Sequence, residues 1–246
     1  MDEIRGYQVD CFHNYKKDIG LPQNYAYLYG NPVNALVPVE TAVNQFMIVG
    51  AYPSAKFFTI DGIPNTPVSD IDFPFSNETY FDGSRVRTIP SGRELDEMLK
   101  EIGVERQECW ITNLVKVFLF KKGHVNRYNR LNKHDIEENR SRYDEFAQKS
   151  VPWLKREIKI ANPKLIILLG VEVTKNIFNI SKVKAKHYLD GERKSIQIDG
   201  VLRNVICLPH PGILMKDYDR NPWRKLFKNE IVPKARLLVR DIKMGR

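Results

Sequence analysis

A carboxamide, an imidazole and a glycine-led turn are the groups in this 246-residue sequence best suited to chemistry. Asn113 lies in an apolar run. Its side chain offers one oxygen acceptor and one NH2 donor, enough for a paired contact with a planar polar group. His210, between Pro209 and Pro211, can donate a hydrogen bond to an oxygen that gains negative charge, which lowers a barrier electrostatically. Gly50, Ala51, Tyr52, Pro53 and Ser54 follow another apolar run. Gly50 lets a ligand approach the backbone, Pro53 stiffens the turn and Tyr52 offers a stacking face. Asp61, Asp70, Asp72 and Asp82 follow in a polar stretch, with Asp70 and Asp72 central in it.

These groups need strands behind them. Residues 45–50, 109–115, 164–170 and 202–208 are short apolar runs of the kind that form buried parallel strands, and the candidate groups fall at their carboxyl ends. Between them, Leu95, Met98, Leu99 and Ile102 recur at helical spacing and Gly103 stops the run, predicting a helix. Further helices are expected over 136–160, where Pro152 kinks or divides the element, over Val171–Phe178, and over Trp223–Val239. Asp199-Gly200 marks a hairpin, residues 121–133 read as a basic loop, and 56–92 as an irregular segment able to fold over a site. The first 44 residues read as an irregular or partly helical lead-in to a single domain over 1–246. Strands alternating with helices predict an α/β fold with a mainly parallel sheet, whose ligands bind beyond the carboxyl ends of the strands.

Composition narrows the class. Lys and Arg number 39 against 30 Asp and Glu, a net +9 that favours a polyanionic partner. Cys11, Cys109 and Cys207 are too scattered for a disulfide framework and fit a reduced, cytoplasmic chain. No run approaches the length of a membrane span, and the first residues lack a secretory pattern. The phosphate loops of nucleotide-binding α/β proteins, GxGxxG or Walker type, are absent.

Four segments, in order and at matching spacing, resemble the uracil-DNA glycosylase superfamily, particularly its iron–sulfur-containing microbial branch. Val49-Gly-Ala-Tyr-Pro-Ser54 is similar to that branch's Gly-Glu-Ala-Pro-Gly loop. The segment Gly92–Gly103 leads to Trp110-Ile-Thr-Asn-Leu-Val-Lys116, which resembles Tyr-Ile-Thr-Asn-Val-Val-Lys. Asn162-Pro-Lys-Leu-Ile-Ile-Leu-Leu-Gly170 follows, and His210-Pro-Gly-Ile-Leu-Met-Lys216 resembles His-Pro-Ser-Tyr-Leu-Leu-Arg.

The resemblance covers about residues 45–240 and implies a three-layer α/β/α fold acting on single- or double-stranded DNA as a monomer. It implies hydrolysis of the N-glycosidic bond of uracil or another damaged base after base flipping. Asn113 would then read the flipped base, with Gly50–Ser54 and Gly212 lining its pocket, and His210 would meet the departing base's oxygen. Lys116, Lys121, Lys122 and Lys216 would meet phosphates, and Ile213 and Leu214 would wedge into the stack. The alternative is a catalytically inactive nucleic-acid-binding protein on the same fold.

Several positions depart from the pattern. Ala51 stands where the branch has its water-activating Glu, and Tyr52 where other relatives have Asp or Asn. Another branch takes its acid from nearby, and the resemblance then makes Asp61, Asp70, Asp72 and Asp82 the candidates for activating water, Asp70 and Asp72 central among them. The base-stacking aromatic is missing from Arg87-Thr-Ile-Pro90, leaving Phe73, Phe75 or Phe81 to replace it. Gly212 replaces the serine after His-Pro. Three cysteines cannot supply four cluster ligands, so no iron–sulfur cluster or other cofactor is expected.

Overall fold

The computed structural model describes residues 2–245, apart from 23, 28–29, 57–58, 61–62, 65–67, 70–72, 82–83, 133–135 and 217–220. Helix α1 (Glu3–Asp18) leads to strand β1 (Phe46–Gly50). Among the described residues three small antiparallel pairs lie between residues 55 and 88, and helix α2 (Pro90–Ile102) and strand β2 (Cys109–Asn113) follow. Helices α3 (Lys122–Asn129) and α4 (Tyr143–Ala161) precede strand β3 (Leu165–Leu169), which passes into α5 (Val171–Phe178) and α6 (Lys182–His187). Strands β4 (Lys194–Ile198) and β5 (Val201–Leu208) form a hairpin, followed by α7 (Pro211–Leu214), α8 (Pro222–Leu226) and α9 (Val232–Lys243).

The central sheet has the order β4-β5-β3-β1-β2, with β4 antiparallel at one edge and the other four strands parallel. Period-two alternation sorts its side chains to two faces. Met47, Val49, Trp110, Ile166, Leu168 and Val205 pack with residues of α1 and α4. Phe46, Ile48, Ile111, Ile167, Ile206 and Leu208 pack with α2 and α9. Both faces are covered, so β1, β2 and β3 are buried throughout, and each buried aliphatic side chain contributes about 1.5–3 kcal/mol. The result is three layers, α/β/α. No described helix is long and apolar enough to cross a membrane.

The lead-in, read as irregular or partly helical, is partly helical, and several other elements differ from the sequence reading. The lead-in's helix is α1, whose buried residues Tyr7, Cys11 and Tyr15 recur every four positions. Two tyrosines and a cysteine make a weak hydrophobic signal, yet they mark one face of a helix. The basic segment expected as a loop contains helix α3. Helix α4 begins at Tyr143 and continues through Pro152 as one element. The terminal helix is interrupted between α8 and α9 by a wider π-helical turn over Phe227–Ile231.

Candidate active site

The carboxyl ends of the parallel strands gather the candidate residues. Gly50 is directly paired with Asn113 in the β1–β2 ladder. Beyond the strands, Leu114 N–H donates to Gly50 O at 2.8 Å and Val115 N–H to Ala51 O at 2.9 Å, locking the turn after β1 against Asn113. A β-carbon on Gly50 would lie 2.3 Å from Asn113 Oδ1 and 2.5 Å from Phe75 Cε2, so only glycine allows this approach. Phe75 is buried, and its ring centroid is 5.9 Å from that of His210. Gly50, Phe75, Asn113 and His210 therefore form one cluster.

Phe75 was one of three aromatic candidates in the sequence. Phe81 is largely exposed, whereas Phe75 is turned inward from a left-handed backbone conformation, φ +54°. Arg106 anchors that turn: its Nη2 donates to Phe75 O at 2.9 Å, while Nη1 meets Glu40 and Nε meets Asp96, each at 2.6 Å. Gly92 lets the Phe75–Ser76 backbone rest on the first turn of α2, where a β-carbon would meet Ser76 O.

Asn113 is completely buried, and its side-chain oxygen and nitrogen have no hydrogen-bond partner. Leaving two such atoms dry and unpaired costs free energy unless a ligand or water supplies partners. Its backbone is held from behind. Lys116 Nζ donates to Asn113 O at 3.0 Å and Thr112 Oγ1 at 2.7 Å, and pairs with Glu157 Oε1 at 2.8 Å. Lys116 and Glu157 are both completely buried. This corrects the phosphate role expected for Lys116, whose ammonium is enclosed by the core.

His210 caps α7. Its Nδ1 accepts from Gly212 N–H at 3.0 Å, so the neutral ring carries its proton on Nε2, the nitrogen left to donate. Gly212 makes this contact through its backbone. Burial pushes the imidazole down to about 4, opposed by the negative charge of Glu172, so the ring is neutral at pH 7. Gly170, at φ +97°, gives the histidine room, since a β-carbon there would lie 3.1 Å from His210 Cβ.

Other expected residues fall differently. Ala51 and Pro53 are buried and Ser54 is exposed. Tyr52 turns towards Tyr143, at 5.6 Å between rings, and lies under the Arg140 guanidinium at 4.3 Å. Leu214 is buried in the α2–α9 core, which corrects its role as a wedge; Ile213 is half-buried, and Met215, which the sequence reading passed over, is exposed. Lys121, Lys122 and Lys216 are exposed. Asp61, Asp70, Asp72 and Asp82 lie outside the described residues.

An iron–sulfur cluster does not fit these residues. Cys11 is on α1, Cys109 on β2 and Cys207 on β5; the two strands stand three places apart in the sheet. Burial pushes each thiol up to about 12, away from the thiolate that ligates iron. Among the described residues no group of three or more His, Cys, Asp or Glu is gathered to hold a metal.

Comparison with known proteins gives the family. The family model for the uracil DNA glycosylase superfamily matches residues 42–234. The type-4 uracil-DNA glycosylase of Sulfurisphaera tokodaii is 37% identical over 157 residues, covering 58% of this chain and 61% of that protein. The type-4 uracil-DNA glycosylase of Archaeoglobus fulgidus is 28% identical over 147 residues, covering 56% and 62%. The match thus spans about three-fifths of the length of these relatives. With the family model spanning β1 to the start of α9, and the parallel sheet bringing Gly50, Asn113 and His210 together, this chain belongs to the uracil DNA glycosylase superfamily.

Proposed function

We propose that this protein is a DNA glycosylase that flips uracil or another damaged base from the helix and hydrolyses its N-glycosidic bond. The observation that carries this reading is the buried, unpartnered amide of Asn113 beside Phe75 and Gly50. A flipped base presents donor and acceptor atoms on its Watson–Crick edge, which would satisfy both ends of the amide. Phe75 offers an aromatic face, and the Nε2 proton of His210 would meet the base oxygen as negative charge moves onto it.

Release of free base from uracil-containing single- and double-stranded DNA tests the reading. Asn113→Ala is expected to lower the rate by about tenfold or more and to weaken discrimination between uracil and cytosine, because the contact forms before the bond breaks. Unchanged selectivity would remove Asn113 from base reading. One observation favours the alternative, a binder without catalysis: neither Ala51 nor Tyr52 carries a carboxylate. DNA retained by the wild type without release of any base would decide for it.

Lys121 and Lys122, exposed at the start of α3, and Lys216, exposed after α7, are proposed to contact phosphates, with Ile213 entering the stack nearby. Neutralising Lys121 and Lys122 together should weaken binding to all sequences alike and make the salt dependence shallower by roughly one to two in log–log slope. Binding titrations at several salt concentrations would measure this. A loss confined to one sequence would mean that these lysines read bases.

A further inference from the structure

We infer that Glu172 supplies the carboxylate missing from the Gly50–Ser54 loop, facing the attacking water and the sugar on the side of the pocket opposite the departing base. This inference rests on the glycosylase reading above. Strand order gives the first reason. β3 lies between β1 and β5, with Val49 paired to Leu168 and Leu208 paired to Leu169, so the three carboxyl ends are level. Neighbouring strands are about 4.8 Å apart, which sets the turn after β3 between the Gly50 loop and His210. Gly170 occupies that turn, packed against His210 Cβ, and Glu172 follows two residues later in the first turn of α5.

The second reason is a tether to the loop that lacks the acid. Arg140 Nη2 is 3.6 Å from Glu172 Oε1, and the Arg140 guanidinium lies over the rings of Tyr52 and Tyr143, at 4.3 and 4.6 Å. Tyr52 is two residues beyond Gly50. One run of contacts thus links Gly50, Phe75, His210 and Gly170, and a second links Glu172 through Arg140 to Tyr52. The two are joined along the chain, Glu172 two residues beyond Gly170, and Glu172 and Arg140 line a cavity beside Tyr143. The Glu172 side chain keeps 44% of its surface exposed, so water reaches it. Its charge is also felt at His210, where it opposes the effect of burial.

In the proposed step, the C1′–N bond opens and its electron pair passes to the base, where the His210 N–H meets the base oxygen. The water oxygen bonds to C1′ while one water proton moves to Glu172, which later returns it to solvent. The carboxylate also opposes the positive charge that builds on the sugar.

Single-turnover excision from uracil-containing DNA, measured beside DNA affinity and thermal melting, tests this assignment. Glu172→Gln and Glu172→Ala are expected to lose about tenfold or more in rate, with affinity and melting near wild type. Added formate should restore part of the rate to Glu172→Ala, a response that a purely structural pair with Arg140 would not give. A Glu172→Gln rate within about twofold of wild type overturns the assignment and leaves the glycosylase reading standing. So does loss of excision in Asp70→Asn or Asp72→Asn while Glu172→Gln stays active. A wild type that releases no base overturns the glycosylase reading, and this assignment with it.

Discussion

His210→Ala is expected to slow single-turnover release of base by about a hundredfold while leaving DNA affinity near that of the wild type. The proposed contact strengthens as charge develops on the leaving base, so its loss falls on the rate more than on binding. The ring is arranged for this: Gly212 N–H occupies Nδ1, and burial keeps the imidazole neutral. Excision should therefore depend little on His210 protonation from neutrality down to about pH 5. Stability runs the other way. An imidazole whose value falls from 6.5 to about 4 on folding binds fewer protons in the native state, so its contribution is lost as pH falls through that interval. Base release measured against pH, with parallel binding titrations, checks the rate claim. An alanine variant with wild-type excision would remove His210 from the reaction.

Lys116→Met is expected to destabilise the protein by about 3–5 kcal/mol, because it leaves Glu157 charged and unpaired inside the core. In a chain of this length that corresponds to a fall in melting temperature of roughly 10 °C. Glu157 Oε1 would keep the Tyr7 hydroxyl at 2.7 Å and Thr112 Oγ1 at 3.2 Å, while its Oε2 already has no partner. Replacing both members, Lys116→Met with Glu157→Leu, should recover much of the loss, since the unpaired charge is then gone. Thermal melts of the single and double variants test the coupling. Equal and additive losses would mean that the two side chains do not act as a pair.

The parallel strands and α2 were legible because each is a local pattern: a short apolar run, or apolar residues three and four apart closed by Gly103. Asn113 and His210 could be selected because both stand at strand ends, where this architecture places ligands, and within segments, 110–116 and 210–216, that resemble the family's motifs. The failures depend on distant partners. A lysine in a basic chain reads as a surface group, and only Glu157, brought in by α4, explains why Lys116 is buried. Choosing Phe75 among three phenylalanines required the turn pinned by Arg106. Leu214 and Ile213 are adjacent, and the docking of α7 decides which of them enters the core. Arg140 and Glu172 drew no notice because their spacing fits no motif and only the fold brings them together.

Helix α1 lies before the residues that the family model matches, which begin at 42, yet Tyr7, Cys11 and Tyr15 belong to the same core as Met47, Trp110 and Ile166. The Tyr15 hydroxyl accepts from Lys116 N–H at 2.9 Å and shares a hydrogen bond with Ser150, while Tyr7 holds Glu157. The helix is thus a keystone of the same arch. A chain cut to residues 42–234 would retain Asn113 and His210 but expose the underside of the strand that aims the amide.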